Sequence, residues 1–568
     1  MGEVTELKTL LKNAFVVNVF TDEVKKMNVL LENDRIIGVG NYTDSDADKV
    51  RDLSGKFICP GLIDGHIHIE STMMIPKELA DVALPHGTTA IVADPHEIAN
   101  VCGIDGIRYM LEASEGLPMD IYFTASSCVP ATPFDETGAE LHAEDIRELY
   151  ANPRILGLAE MMNFPGVLMK DPDVIRKIKD AKAAGKIVDG HAPLLSGKDL
   201  DAYIAAGVTS DHECSNLEEA CAKLERGQYI MIREGTAAKN LKALIGLFDP
   251  KYNHRCLLVT DDCHPTDLLN KGHIDNIIRL AAELGADPVI AVRMASLQAA
   301  EYFKIQDVGA VAPGYFANLT IVDDLKLFHV TDVYVRGKCV VRNEKKADFE
   351  IPKVDMELEK MVRNTFHVEK LSADDFVIRE ENGLCRVIEL IPGQIITKEA
   401  HEEIRFDVNS GIDTGRDILK LAVIERHKGK GHIGTGFIKG VGMKEGAIAS
   451  SVSHDSHNII VIGTSDEEMA AAANKIIEMG GGNVVMKDGK DIARMALSIA
   501  GLMSDFSAQD TAGFNARVRN AVYELGTPRN VEPFMNMAFV SLPVIPALKM
   551  STQGLIDVVK FERVSLKV

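Results

Sequence analysis

Two histidines one residue apart, His66 and His68, stand in the stretch Pro60-Gly61-Leu62-Ile63-Asp64-Gly65-His66-Ile67-His68. On a strand, side chains alternate between faces, so these two imidazoles share a face and can grip one metal ion. Further along stand Asp94-Pro95-His96-Glu97, Glu160 in Gly-Leu-Ala-Glu-Met-Met, His191 in Asp-Gly-His-Ala-Pro, His212 in Ser-Asp-His-Glu, and Asp261-Asp262 in Val-Thr-Asp-Asp-Cys-His-Pro. One such residue alone is more often a satisfied structural group. A series of them, each at the end of an apolar run, is hard to explain as packing, because buried charges are costly unless paired or metal-bound. The set His66, His68, Glu160, His191, His212 and Asp261 mixes imidazole with carboxylate and holds no thiolate. That chemistry suits Mn, Fe or Zn, and the carboxylates pull toward Mn(2+) or Fe(2+).

The elements that must position these groups follow from the pattern. Eight β-type runs are centred on Ile63–Ile69, Thr88–Asp94, Asp120–Ala125, Ile155–Glu160, Ile187–His191, Val208–His212, Tyr229–Arg233 and Arg255–Asp261. Amphipathic stretches such as Asp173–Ala184, Leu217–Arg226 and Ile274–Leu284 separate most of them. This rhythm predicts a TIM-type (β/α)8 barrel over residues 58–307, with function at the C-terminal strand ends. Residues 1–57 read as short strands that need a partner, since so short a segment makes a marginal core. Residues 308–358 hold strand-like runs that can partner them and lead into a charged linker, Asn343-Glu344-Lys345-Lys346. Residues 359–568 form a third, α+β region, with strand-like runs at Phe376–Arg379 and Asn458–Gly463 and a helix, Asp466–Met479, closed by three glycines. Barrel and flanks each show their own core pattern and are expected to fold without it.

The Pro-Gly-Leu-Ile-Asp-Gly-His-Ile-His flank resembles the metal-binding signature of the amidohydrolase superfamily, in which the histidine pair ends the first barrel strand. The continuation Ile69-Glu70-Ser71-Thr72-Met73-Met74 narrows the resemblance to bacterial and archaeal adenine deaminases. So does the third region, which most other amidohydrolases lack, with its Ser453-His454-Asp455-Ser456-His457-Asn458 cluster. The resemblance spans nearly the whole chain. It implies that residues 1–57 and 308–358 pair into a small β-sandwich beside the barrel. It implies hydrolysis of adenine to hypoxanthine and ammonia, with free adenine preferred over adenosine. It also implies two metals, His66, His68 and Asp261 on one and His191 and His212 on the other, and a bridging hydroxide that attacks C6. Many binuclear relatives bridge their metals with a carboxylated lysine on strand four; Glu160 stands at the matching position and can serve as a permanent carboxylate.

Asp261 can both ligate and take the water's proton. A second acid must protonate N1 and the leaving ammonia, and Glu70, Glu97, Asp94 and His264 all remain open. The cytidine-deaminase zinc pattern, His-X-Glu with Pro-Cys-X-X-Cys, is absent. Two other readings compete. One is another binuclear amidohydrolase acting on a cyclic amide or an N-acyl substrate. The other is a non-catalytic scaffold on the same barrel, which would have shed ligands that this chain keeps. The His454, Asp455 and His457 cluster is either a polar turn or a loop reaching the barrel mouth; the expectation is that it contributes to the site, as a lid that excludes water.

Bulk composition sets the outer limits. Hydrophobic residues make up 46% of the 568, enough for large cores, while aromatics are only 5% and Trp is absent. With 62 basic and 84 acidic residues the net charge is −22, which argues against a nucleic-acid partner. The nine cysteines are scattered, without Cys-X-X-Cys, as expected of reduced thiols in a cytoplasm. No signal peptide or membrane-spanning run is visible. The expected partner is a small purine base taken up in salvage, and the expected assembly a homo-oligomer, a dimer in the first instance.

Overall fold

The computed structural model describes residues 7–236, 238–392 and 394–568. At the N-terminus, β1 (Lys8–Asn18), β2 (Glu23–Glu32), β3 (Arg35–Gly40), β4 (Lys49–Asp52) and β5 (Phe57–Pro60) follow one another. They unite with the strands after the barrel in one nine-stranded sheet, through antiparallel pairing of β5 with residues 319–322. Its core gathers Leu11, Val16, Val29 and Ile58 from the first flank and Leu319, Ile321 and Tyr334 from the second. The partnership expected across some 260 residues of intervening chain is therefore made by backbone hydrogen bonds.

The barrel strands are β6 (Leu62–Ile67), β7 (Thr88–Ala93), β8 (Asp120–Ala125), β9 (Ile155–Met161), β10 (Ile187–Gly190), β11 (Ser210–Asp211), β12 (Tyr229–Arg233) and β13 (Cys256–Val259). All neighbours are parallel. β6 to β10 form one hydrogen-bonded run and β11 to β13 another. Two backbone bonds join the runs into a ring: Thr209 N–H to Val188 O at 2.8 Å, and Asp261 N–H to His66 O at 2.9 Å. The period of two sorts the residues. Ala90, Val92, Leu257 and Val259 fill the barrel interior, while Ile91, Ala93, Cys256 and Leu258 face the surrounding helices.

After the barrel come β14 (Leu319–Val322), β15 (Val330–Val335), β16 (Lys338–Arg342) and β17 (Lys345–Lys346). The charged stretch 343–346, expected as a linker, is a hairpin instead. Asn343 and Glu344 take positive φ of 49° and 65° and turn β16 back on β17, the geometry that two-residue hairpin loops favour.

The third region is built on an eight-stranded sheet. Its members are β18 (Gly383–Leu390), β19 (Thr397–Ile404), β20 (Leu419–Ile424), β21 (Ile433–Lys439), β22 (Ala447–Ser450), β23 (Ile459–Gly463), β24 (Gly482–Lys487) and β25 (Lys490–Ala496). Ile459 and Val461 on β23 pack under the helix Asp466–Met479, and Ile460 and Ile462 pack with the helix Ala508–Glu524 on the other face. The helix Asp466–Met479 has the expected bounds: Ser465 caps its start by accepting the Glu468 N–H, and Gly480 ends it at φ 70°. The run Phe376–Arg379 is not a strand. Ser372 and Asp375 form a capping box that winds Ala373–Phe376 into a 3-10 turn, so local capping outweighs the β-branched residues that follow.

The third region does not stand apart. Ile499, Leu502, Met503 and Ala508 belong to the same apolar cluster as Ile75, Leu79 and Leu84 of the barrel. Ser504 N–H donates to Met73 O at 2.8 Å, and Ala508 N–H to the Glu78 carboxylate at 2.9 Å. The expectation that the barrel folds without this region is thus at odds with a continuous core. All nine cysteines are unpaired, and among the described residues no helix is long and apolar enough to cross a membrane.

Candidate active site

The first strand delivers its two histidines through a local irregularity. Ile63 lies in the barrel interior, and Gly65 faces Val259, Leu257 and Phe303 there. Continued alternation would turn Ile67 inward. The pairing of β6 with β7 slips between Asp64 and Ile67, so Ile67 packs outward and His66 and His68 point into the barrel. A bulge of this kind re-aims side chains at the cost of ladder pairing. At the end of β13, Asp261 takes φ +60°, a left-handed conformation that aspartate tolerates better than most residues, and its carboxylate turns toward the same histidines.

The six expected ligands meet. Asp261 Oδ1 lies 3.2 Å from His68 Nε2 and 3.6 Å from His66 Nε2. Glu160, at the end of β9, faces two ways. Its Oε1 lies 3.4 Å from His68 Nε2 and 3.9 Å from His66 Nε2, and its Oε2 lies 2.6 Å from His191 Nδ1 and 3.2 Å from His212 Nε2. One carboxylate therefore spans two histidine pairs. All six are buried except His191, which is partly open. Burial disfavours the charge on Glu160, but His212 and His191 outweigh it and hold the carboxyl well below the usual range. For Asp261, burial is likewise outweighed, by the Arg233 guanidinium and then by His66 and His68.

Around this core sit residues that spacing alone did not single out as ligands. His96 Nδ1 lies 2.9 Å from Asp94 Oδ2 and 3.7 Å from Glu160 Oε1. Arg233, the last residue of β12, donates to Asp261 Oδ2 at 2.7 Å and to Glu213 Oε2 at 2.8 Å. Glu213 in turn lies 3.5 Å from His212 Nε2. Each has a sequence signal of its own: His96 is inside the Asp-Pro-His-Glu run, Glu213 follows His212, and Arg233 ends a barrel strand.

The four proton-donor candidates separate. Asp94 is engaged by the His96 ring and backbone N–H. Glu97 is held by His454 Nδ1 at 2.6 Å and by His457 Nε2. Burial works against its charge, and His454 and His457 overcome that and keep the carboxyl well down. His264 borders a cleft over the barrel mouth, and burial lowers its pKa. Glu70 accepts the Ile98 N–H at 3.1 Å through Oε1, while Oε2 has no partner and the carboxyl borders the same cleft. Burial pushes its pKa up to about 7.

The cluster Ser453–Asn458 is a buried loop between β22 and β23 that reaches the barrel mouth. Arg426, itself fully buried, donates to His457 O, and Asn458 Nδ2 donates to the Glu136 backbone O on the barrel at 2.8 Å. The His454 ring stacks on Phe539 at 4.5 Å. Asp455 is buried beside His454, at 3.9 Å from its ring.

Several groups of these residues bring ligand atoms close enough to share an ion: His66, His68 and Asp261; His66, Glu160 and His212; His191, His212 and Glu213; His68, Asp94, His96 and Glu160. The His66 Nε2 atom is buried without a hydrogen-bond partner among the described residues, as an imidazole kept for a cation would be. Nitrogen and oxygen donors without thiolate fit a divalent transition metal.

The comparisons with known proteins agree in scope. A family model described as the amidohydrolase family matches residues 57–340, and one described as the adenine deaminase C-terminal domain matches residues 394–562. The adenine deaminase of Clostridium acetobutylicum is 44% identical over 563 residues, covering 98% of this chain and 97% of that one. Those of Desulfatibacillum aliphaticivorans and Oceanobacillus iheyensis are 46% and 45% identical, each covering 98% of this chain and 96% of the relative.

Proposed function

Because the chain belongs to the adenine deaminase family of the amidohydrolases, we propose that the cluster at its barrel mouth is a two-cation site that acts on C6 of adenine. The enzyme is a hydrolase of C–N bonds, and its reaction is the conversion of adenine and water to hypoxanthine and ammonia. His66, His68 and Asp261 would hold one cation and His191 and His212 the other, with Glu160 between them. The observation that carries this reading is the two-way placement of Glu160, one oxygen toward each histidine pair. Mn(2+) or Fe(2+) fits a donor set in which two carboxylates join four imidazoles, and Zn(2+) is the third choice. When bound, the cations supply Lewis-acid activation of a water at neutral pH.

The protein's own groups do the rest. Arg233 fixes Asp261 through Oδ2, leaving Oδ1 to receive the proton of the water as it adds to C6. Glu70 has an oxygen without a partner among the described residues, borders the cleft, and is pushed up to about 7 by burial, so it is the group best suited to protonate N1 and then the departing ammonia. Asp94 and Glu97 are committed to histidines, and their role is to position His96 and the His454–His457 loop. That loop closes the mouth against water.

The test is ammonia release by the metal-loaded enzyme. Adenine should be deaminated, with adenosine a much poorer substrate. Ring opening of a cyclic amide or release of acetate from an N-acetyl substrate, with adenine untouched, would replace this reading by the alternative one.

A further inference from the structure

We propose that Asn483 is the residue by which the third domain reads the purine ring, its side-chain amide donating a hydrogen bond to a ring nitrogen of the base. This rests on the adenine reading above. The cleft over the barrel mouth encloses about 30 Å³, so its walls must part to admit a base; one wall comes from the barrel, with Glu70, Asp262 and His264, and one from the third domain, with His454, Asn483 and Phe539. Asn483 stands near the start of β24, directly across from Ser450 on β22, and is only 1% exposed. Ser450 Oγ receives the Val452 N–H at 2.9 Å and lies 2.6 Å from Asn483 Oδ1. With the serine proton given to Oδ1, the amide nitrogen of Asn483, a residue that lines the cleft, has no hydrogen-bond partner among the described residues.

A buried amide N–H without an acceptor is expensive, so native proteins rarely leave one. Here the stranded donor borders a cleft whose opposite wall carries another unpartnered group, Glu70 Oε2. A flat heterocycle with ring-nitrogen acceptors would satisfy the amide N–H directly, and would meet Glu70 Oε2 when that oxygen carries the proton it gives to N1. With C6 at the cation cluster and N1 toward Glu70, the acceptors left for the opposite wall are N3 and N7. Phe539, held by its stack on His454, supplies an apolar face beside them. The recognising amide thus lies some 220 residues downstream of Asp261, the last proposed barrel ligand, in the region matched by the adenine deaminase C-terminal domain.

The experiment is a comparison of the manganese-loaded wild type with Asn483→Ala, Asn483→Asp and Ser450→Ala on adenine, 3-deazaadenine and 7-deazaadenine, with metal content and melting temperature measured alongside. The expected result is a rise in KM for adenine of about tenfold or more in both Asn483 variants, a smaller rise for Ser450→Ala, and unchanged metal content. The wild type should discriminate against one of the two deaza analogues, and that penalty should vanish in the Asn483 variants, as a double-mutant comparison requires. A merely structural role would weaken all three substrates alike. A KM for adenine within about twofold of the wild type, a wild type that treats both deaza analogues like adenine, or a deaza penalty that persists in the Asn483 variants overturns the proposal. If the wild type releases no ammonia from adenine at all, it is the underlying reading that fails.

Discussion

Glu160 is the residue on which the site's geometry turns. Its two oxygens face different histidine pairs, so a single change should act on both halves of the cluster. Glutamine keeps the shape but offers one oxygen and a non-ligating amide nitrogen. Loss of a hydrogen-bond partner outside the metal shell typically costs about 10–100-fold, so Glu160→Gln should lower turnover by more than ~100-fold and release at least part of the bound metal, read by elemental analysis. A variant that retains both metals and full activity would remove Glu160 from the site. Much of this level was legible in the sequence, because metal ligands at barrel strand ends are few, polar and set in apolar runs. Arg233 and Glu213 carried only weak signals, a strand end and a place next to His212, because an Arg–Glu pair looks like any other surface ion pair until its burial is known. Asn483 was invisible for a similar reason: nothing about one asparagine in a strand announces that its amide is left without a partner.

At the scale of elements, the loop between β22 and β23 joins two domains through buried charge. Glu97 lies at the start of a barrel helix and its two histidine partners lie on the third domain. His457→Ala should lower deaminase turnover about 10–100-fold while leaving the barrel metals in place; parental activity would reduce the cluster to a turn. Removing residues 365–568 is a poorer test than the notion of separable domains suggests, since it would strip Ile499, Leu502 and Met503 from the barrel's own core. The strand and helix periods gave the barrel strands to within a few residues, but they do not report which apolar faces meet across domains, so this shared core could not be read from them.

A second element, the loop carrying Asp135, makes a prediction about pH. Burial raises the Asp135 carboxyl to about 8, against two hydrogen bonds from Thr132. An acid whose folded-state pKa is above its unfolded value binds more protons in the native state, so stability falls as pH rises between roughly 4 and 8. Asp135→Asn should therefore raise the melting temperature at pH 8 and change it little at pH 4, checked by thermal scans at both. A gain that is equal at the two pH values would show that the buried charge is not its source.

For the whole molecule, the flanking strands, the barrel and the third domain form one body around a charged centre. The flanks were legible as strands in need of partners, and their union in a single sheet follows from the β5–β14 pairing. The net charge of −22 and the nine unpaired cysteines belong to the chain at large, whereas the proposed chemistry lies where barrel and third domain meet. The measurement that bears most directly on the account is a metal titration: protein stripped by a chelator, reloaded with manganese in steps, and assayed at each step for bound metal and for ammonia released from adenine. Activity should climb with bound metal and level off at two equivalents per chain. A plateau at one equivalent, or adenine left intact by protein holding two, would contradict it.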